Sequence, residues 1–188
     1  ELIEDQAEWL MQGVGIEVQD DPGALTLWRA AGADVTDTRV RTPRGMVRKL
    51  CTTAPRQFTQ VARNPDRSVS IGGTSQIFAP VYGAPFVRDL QGGRRYGAIT
   101  DFERLIKLTY QLPSLHHGGF VTCEPCDVPV SKRHLDMLYV HMRYSDKAHL
   151  GAITTKERAE DSVAMARIVF GETFLESHCV ILGNVNTN

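Results

Sequence analysis

Three short apolar runs that each end abruptly in polar residues constrain the fold of this chain more than any other feature. They span residues 119–122, 148–153 and 179–185. Two segments with helical periodicity separate them, so the order is strand, helix, strand, helix, strand, which is typical of a parallel α/β sheet. Because residues just past the carboxyl ends of parallel strands build the active sites of such sheets, we expect functional side chains at these ends.

The polar residues at these strand ends are the first candidates for a site. Glu124 follows Cys123 at the end of the first run, and Thr154 follows the second. Asn184 and Asn186 lie at the end of the third run and are separated by two positions, so on a strand they share a face. We interpret Glu124, Asn184 and Asn186 as the best placed polar groups, at the rim of the sheet.

Composition excludes two classes of partner. The chain has 188 residues and a net charge of -1, which gives no basic footprint for a nucleic acid. No apolar run approaches the roughly 18 residues of a membrane helix, and no signal peptide is visible. With these features, the four cysteines are better interpreted as reduced thiols than as disulfides, which favours a cytoplasmic location. Glu1 is not a native start, and a strand at the end suggests a fragment of a longer protein.

The chain divides into three predicted parts. Residues 1–66 form a helical region, with helices over 1–12, 22–31 and 42–51, a short strand at Ile16 and Val18, and a short segment through Ala62. Residues 67–99 form β-hairpins, with a tight turn at 91–94. Residues 100–188 form three strand–helix units, with helices over 100–112, 131–144 and 154–170. Capping boxes at Thr100–Glu103 and Thr154–Glu157 begin two of these helices. A complete (β/α)8 barrel takes roughly 250 residues, so we expect a partial TIM barrel, of class α/β.

Three local patterns have both a chemical and a structural interpretation. Cys123 and Cys126 have the spacing of a zinc or redox site, but two further ligands at matching spacing are missing, so ordinary thiols and no metal are favoured. His116 and His117 begin a strand and would face the base of a barrel, so structural histidines are favoured over acid–base groups. The segment 72–75 lacks the lysine and helix of a phosphate-binding loop and is interpreted as a hairpin connection.

Seven short motifs occur in a fixed order, most densely from Gly83 onward. They are Gly83-Ala-Pro-Phe-Val-Arg-Asp89, Gly93-Arg-Arg-Tyr-Gly97, Cys123-Glu-Pro-x-Asp-Val-Pro129, Lys132-Arg-His134, Arg143-Tyr-Ser-Asp-Lys147, Glu157-Arg-Ala-Glu-Asp-Ser162 and Gly183-Asn-Val-Asn186. In this order they resemble the trimethylamine methyltransferase family, whose members are corrinoid-dependent enzymes built on a TIM barrel. Each motif alone is weak, but the resemblance covers nearly the whole chain.

The resemblance implies a reaction and a partner. A methyl group would pass from a methylated amine, trimethylamine or a quaternary amine such as glycine betaine, to the cobalt of a separate corrinoid protein. The cofactor would then be the corrinoid (cobalamin) of that cognate partner, and none would bind this chain directly. Family members that act on trimethylamine use a pyrrolysine beyond Asn188, so the catalytic residue and the choice of amine lie outside the sequence.

A site for such a substrate must hold a bulky cation beside polar and aromatic groups. Glu124, Asn184 and Asn186 fit this requirement from the strand ends, and Asp89, Tyr82 and Tyr96 would reach in if the hairpin region folds over the barrel mouth. Two alternatives stay open: a non-catalytic module that binds quaternary amines or a corrinoid protein, and an inactive barrel fragment. A homo-oligomer also stays open, since an incomplete barrel has exposed sheet edges.

Overall fold

The computed structural model describes residues 1–184 and separates them into two compact units, one ending at Arg56 and the other beginning at Gln57. The predicted division, with boundaries after residues 66 and 99, stays a prediction. Asn186 and the other residues after Asn184 lie outside the described residues.

The first unit is built from three helices around a small antiparallel sheet. The helices are α1 (Leu2–Gly13), α2 (Pro22–Ala31) and α3 (Met46–Cys51), and the strands are β1 (Ile16–Glu17), β2 (Asp34–Thr36) and β3 (Arg39–Arg41). The strand order is β1-β3-β2, with the fully buried Val40 on the central strand. The short strand expected at Ile16 and Val18 is confirmed as β1, whereas β2 and β3 were missed in the otherwise helical description of residues 1–66. Each missed strand is only three residues long, too short for an alternating pattern to show.

The second unit contains two antiparallel strand pairs. β4 (Gln57–Gln60) pairs with β5 (Val69–Gly72), and β6 (Phe86–Asp89) pairs with β7 (Gly93–Tyr96). The second pair confirms the hairpin that was predicted around the turn at 91–94. The segment before Ala62, which was predicted as part of the helical lead-in, is the strand β4, because its partner lies across the 3-10 turn Pro65–Arg67.

The helices α4 (Ile99–Gln111), α5 (Val130–Tyr144), α6 (Lys156–Phe170) and α7 (Glu172–Leu175) complete the second unit. Both predicted capping boxes are misplaced. α4 begins earlier, where the Asp101 carboxylate accepts from the Ala98 amide at 3.0 Å. α6 is capped by Thr155, whose hydroxyl accepts from the Arg158 amide at 3.3 Å. The spacing of apolar residues along α5 predicts a buried Tyr139, but this ring is 51% exposed.

The three apolar runs lie side by side without forming regular strands in the described residues. The Gly118 amide donates to the Ala148 carbonyl at 2.8 Å, and the Leu150 amide donates to the Gly119 carbonyl at 2.9 Å. Leu150 and Leu182 then form an isolated parallel bridge. Helices α4 and α5 pack against the first run around a core of Phe102, Ile106, Cys123, Met137 and Val140. None of the regular sheets is closed among these residues, and the partial TIM barrel stays a proposal.

Candidate functional site

A cavity of about 360 Å³ opens where the three apolar runs end. Its lining combines polar side chains with aromatic rings. The polar members are Glu124, Arg133, His134, Thr154, Arg158 and Asn184, and the rings are Tyr82 and Phe120. The cavity thus brings together Glu124, Thr154 and Asn184, which the sequence placed at three separate strand ends. This convergence makes it the candidate site.

Glu124 is held at the cavity by an ion pair. Arg133, from the first turn of α5, donates through Nη1 to Glu124 Oε2 at 3.2 Å. The Val128 carbonyl accepts from Nε and Nη2 of the same guanidinium at 3.3 and 3.0 Å, which fixes its plane. The Glu124 amide donates to the Ala84 carbonyl at 2.9 Å. The carboxylate is therefore positioned by both its backbone and its partner, and its charge is balanced locally.

Asn184 and Tyr82 form a polar contact on the cavity wall. The Asn184 amide nitrogen Nδ2 donates to the Tyr82 hydroxyl at 3.1 Å. The tyrosine hydroxyl therefore acts as an acceptor here and keeps its own hydrogen for another partner. Tyr82 belongs to the irregular segment before β6, so this contact ties that segment to the end of the third apolar run.

Arg158 enters the cavity from the first turn of α6. Its Nη1 donates to Thr154 Oγ1 at 2.9 Å and its Nη2 donates to the Val130 carbonyl at 3.2 Å. Both acceptors are neutral, whereas Arg133 in the same cavity faces a carboxylate. The two arginines were not predicted as site residues, although both lie in the motifs that carry the family resemblance. Membership in those motifs was the one signal that pointed to them.

His134, which lines the cavity, forms a histidine–carboxylate pair with Asp161. His134 Nε2 donates to Asp161 Oδ2 at 2.7 Å, and the imidazole is 6% exposed. Its other ring nitrogen, Nδ1, has no hydrogen-bond partner among residues 1–184. The carboxylate fixes the orientation of the imidazole and ties α5 to α6 at the cavity wall. This pair is the second feature of the site that the sequence did not reveal.

Two of the predicted substrate-binding residues do not line the cavity. Asp89 lies in the turn after β6, where its carboxylate accepts from the amides of Gln91 and Gly92. These backbone hydrogen bonds hold the pKa of Asp89 below its usual value. Tyr96 is 64% exposed and stacks on Phe86 with a centroid distance of 4.7 Å. In the structure both side chains serve the hairpin, so their role in binding stays a prediction.

The cysteines and histidines of the sequence patterns differ in their surroundings. Cys123 is 1% exposed in the core, and burial raises the pKa of its thiol to about 11. Cys126 is a free, exposed thiol. In the described part of the chain, no group of three or more histidine, cysteine, aspartate or glutamate side chains is arranged to hold a metal ion. His116 accepts from the Phe78 amide through Nδ1 at 3.2 Å.

His117 belongs to a buried network that the sequence did not reveal. Its Nδ1 accepts from the Gly119 amide at 3.0 Å, so the proton sits on Nε2, which donates to Gln60 Oε1 at 3.0 Å. Gln60, on β4, is fully buried, and its Nε2 donates to the carbonyls of His149 and Val180 at 2.8 and 3.2 Å. One glutamine side chain thus joins residues from all three apolar runs or their starts.

Within the described residues, no helix is long and apolar enough to cross a membrane.

Comparison with known proteins gives two matches. The family model described as Trimethylamine methyltransferase (MTTB) matches residues 1–188. A glycine betaine methyltransferase of Desulfitobacterium hafniense (strain Y51) is 41% identical over 177 residues, which cover 90% of this chain and 37% of that protein. The chain thus spans little more than a third of this relative, and it belongs to the trimethylamine methyltransferase family.

Proposed function

We propose that the chain forms the substrate-binding part of a methyltransferase that moves a methyl group from a methylated amine to the cobalt of a corrinoid protein. The substrate is trimethylamine or a quaternary amine such as glycine betaine. The observation that carries the proposal is the cavity at the ends of the apolar runs, in a chain whose relative is a glycine betaine methyltransferase.

The lining of the cavity suits a methylated ammonium group. Tyr82 and Phe120 offer ring faces, which attract a quaternary ammonium through cation–π interaction. Glu124 adds a carboxylate beside them, held by Arg133. Together these groups bind the cation and turn one methyl toward solvent, where a partner protein docks. Such placement contributes a large part of the rate of a bimolecular transfer.

In the proposed reaction the methyl carbon is attacked by cob(I)alamin, which the partner protein supplies. The C–N bond breaks and its electron pair stays on nitrogen, so a quaternary ammonium nitrogen leaves as an uncharged tertiary amine. Trimethylamine must first gain the corresponding positive charge on nitrogen, so that dimethylamine can leave. This chain contributes binding and orientation: Asn184 and Tyr82 shape one wall, and the Glu124–Arg133 pair another.

The test is methyl transfer followed by absorbance. Protein is mixed with cob(I)alamin and, in separate reactions, with glycine betaine, trimethylamine and tetramethylammonium. We expect conversion to methylcob(III)alamin with at least one donor, and no conversion without protein. Inertness toward all donors, with free corrinoid and with corrinoid protein, would contradict the proposal. Ligand binding without any transfer would favour the non-catalytic binding module instead.

A further inference from the structure

We propose that Arg158 binds a carboxylate of the substrate, so that the cavity selects zwitterionic quaternary amines over simple methylated cations. The inference rests on the proposed function, since it names the substrate class for the same cavity. Neither the family, named for trimethylamine, nor the fold assigns this role to any residue of the chain.

The first argument is the charge of the cavity. Its lining contains the guanidinium groups of Arg133 and Arg158 and the carboxylate of Glu124. Glu124 is already paired with Arg133 at 3.2 Å. Arg158 makes no salt bridge with any carboxylate in the part of the chain that the structure describes, so one positive charge remains. A partly desolvated charge is costly until an opposite charge joins it.

The second argument is the geometry of the guanidinium. A guanidinium has five N–H donors, and Arg158 uses one on Nη1 for Thr154 and one on Nη2 for the Val130 carbonyl. These two contacts hold the group in place on the first turn of α6 and leave donors available. A pre-positioned guanidinium with available donors matches the paired oxygens of a carboxylate.

The third argument is the position of the opposite end of such a ligand. Tyr82 and Phe120 line the same cavity and suit the methylated ammonium. A simple cation such as trimethylammonium would fill the cavity beside an uncompensated guanidinium and be repelled by it. A zwitterion brings its own negative charge to Arg158, so both of its ends are satisfied at once.

The experiment is isothermal titration calorimetry with three probes that separate the two charges. Glycine betaine carries both charges, tetramethylammonium carries only the cation, and 3,3-dimethylbutanoate carries the carboxylate on a neutral group of similar shape. They are titrated into the full chain, into Arg158→Gln, and into the matched control Arg167→Gln on the same helix. Arg167 does not line this cavity and pairs with Glu172 instead.

We expect Arg158→Gln to weaken the binding of glycine betaine and of 3,3-dimethylbutanoate about 10- to 100-fold. This corresponds to the loss of a hydrogen-bonded pair of opposite charges. Tetramethylammonium should bind Arg158→Gln at least as tightly as the wild type, and up to about tenfold more tightly, because the substitution removes a like charge from the cavity. Arg167→Gln should bind all three probes as the wild type does. If Arg158→Gln is unstable, Arg158→Lys keeps the charge, loses the fork and should give intermediate affinity for the two carboxylates.

Equal weakening of all three probes would show a merely structural role and overturn the assignment, as would unchanged affinity for glycine betaine. The two proposals fail in different ways. Arg158-dependent binding of carboxylates without methyl transfer to cobalt would contradict only the proposed function. Methyl transfer from tetramethylammonium as fast as from glycine betaine, and unaffected by Arg158→Gln, would contradict only the carboxylate site.

Discussion

At the scale of single residues, three buried histidines share one environment beneath the candidate site. Burial lowers the pKa of His117 to about 4 and that of His141 to about 3, and it lowers the pKa of His149 as well. His141 and His149 stack with ring centroids 4.9 Å apart. Each imidazole is thus held neutral, and His117 needs its neutral form because Nδ1 accepts from Gly119.

These shifts predict a loss of stability in mild acid. The folded pKa of His117 lies below the ordinary value of 6.5, so the unfolded chain binds more protons between pH 6.5 and 4. The free energy of unfolding therefore falls as the pH drops through that window, by about 3 kcal/mol for this group at pH 4. Urea unfolding of the wild type and of His117→Gln at several pH values measures this fall in the free energy of unfolding.

The variant provides its own control. Since His117→Gln removes the titrating group, the stability difference between wild type and variant should shrink by about 3 kcal/mol from pH 7 to pH 4. A difference that stays constant with pH would contradict the buried neutral histidine. Imidazole resonances followed by NMR over the same range give an independent measurement.

Sequence reasoning reached some of these residues and missed others for a physical reason. His117 was correctly favoured as structural, because its place at the start of a run set its surroundings. Gln60 was missed because its role depends on partners 57, 89 and 120 positions away. No local pattern encodes such contacts. Arg158 was missed as a cavity residue because an arginine at the start of a helix is usually a solvated side chain.

At the scale of elements, the end of α4 depends on a buried lysine. Lys147 Nζ donates to the carbonyls of Thr109, Leu112 and Leu115 at 2.8, 2.9 and 2.7 Å. Two of these acceptors lie at or just past the last turn of the helix, where carbonyls have no partner within the helix. A cation there also complements the helix dipole. Burial lowers the pKa of Lys147.

Lys147→Met should therefore destabilise the chain by about 2–4 kcal/mol, because it removes three charged hydrogen bonds and leaves their carbonyl acceptors without a partner. Lys156→Met is the matched control. Lys156 is 90% exposed and its one salt bridge within residues 1–184 is to Glu160, so its loss should cost less than about 0.5 kcal/mol. Urea unfolding at neutral pH compares the two. Similar small effects from both variants would show that the Lys147 contacts contribute little.

Local sequence signals predicted an element correctly where they marked both of its ends. The bounds of α2 were predicted correctly, because both ends carry local signals. At the start the Asp21 carboxylate accepts from the Ala24 amide at 2.9 Å, and at the end Gly32 adopts a φ of 98°. α4 begins before its predicted cap because Asp127, which is distant in sequence, accepts from the Ile99 amide at 2.8 Å. The start of this helix thus combines the local contact between Asp101 and the Ala98 amide with a tertiary contact that no local pattern encodes.

At the scale of the whole molecule, the partial TIM barrel remains our proposal for residues 100–188. Its support is the succession of contacts between the three apolar runs, from Gly118 and Ala148 to the parallel bridge of Leu150 and Leu182. The order of these runs was readable from the sequence. Their pairing through isolated bridges could not be predicted, because apolar runs of four to seven residues do not determine whether neighbouring strands form a continuous hydrogen-bonded ladder.

In the proposed function a methylated amine occupies the cavity of Tyr82, Phe120, Glu124 and Asn184. An NMR experiment tests this by detecting nuclear Overhauser effects from the N-methyl protons of bound glycine betaine. We expect effects to the ring protons of Tyr82 and Phe120. Effects instead to Tyr110, which lines a separate cavity with His116, or to no aromatic ring of the chain, would contradict it.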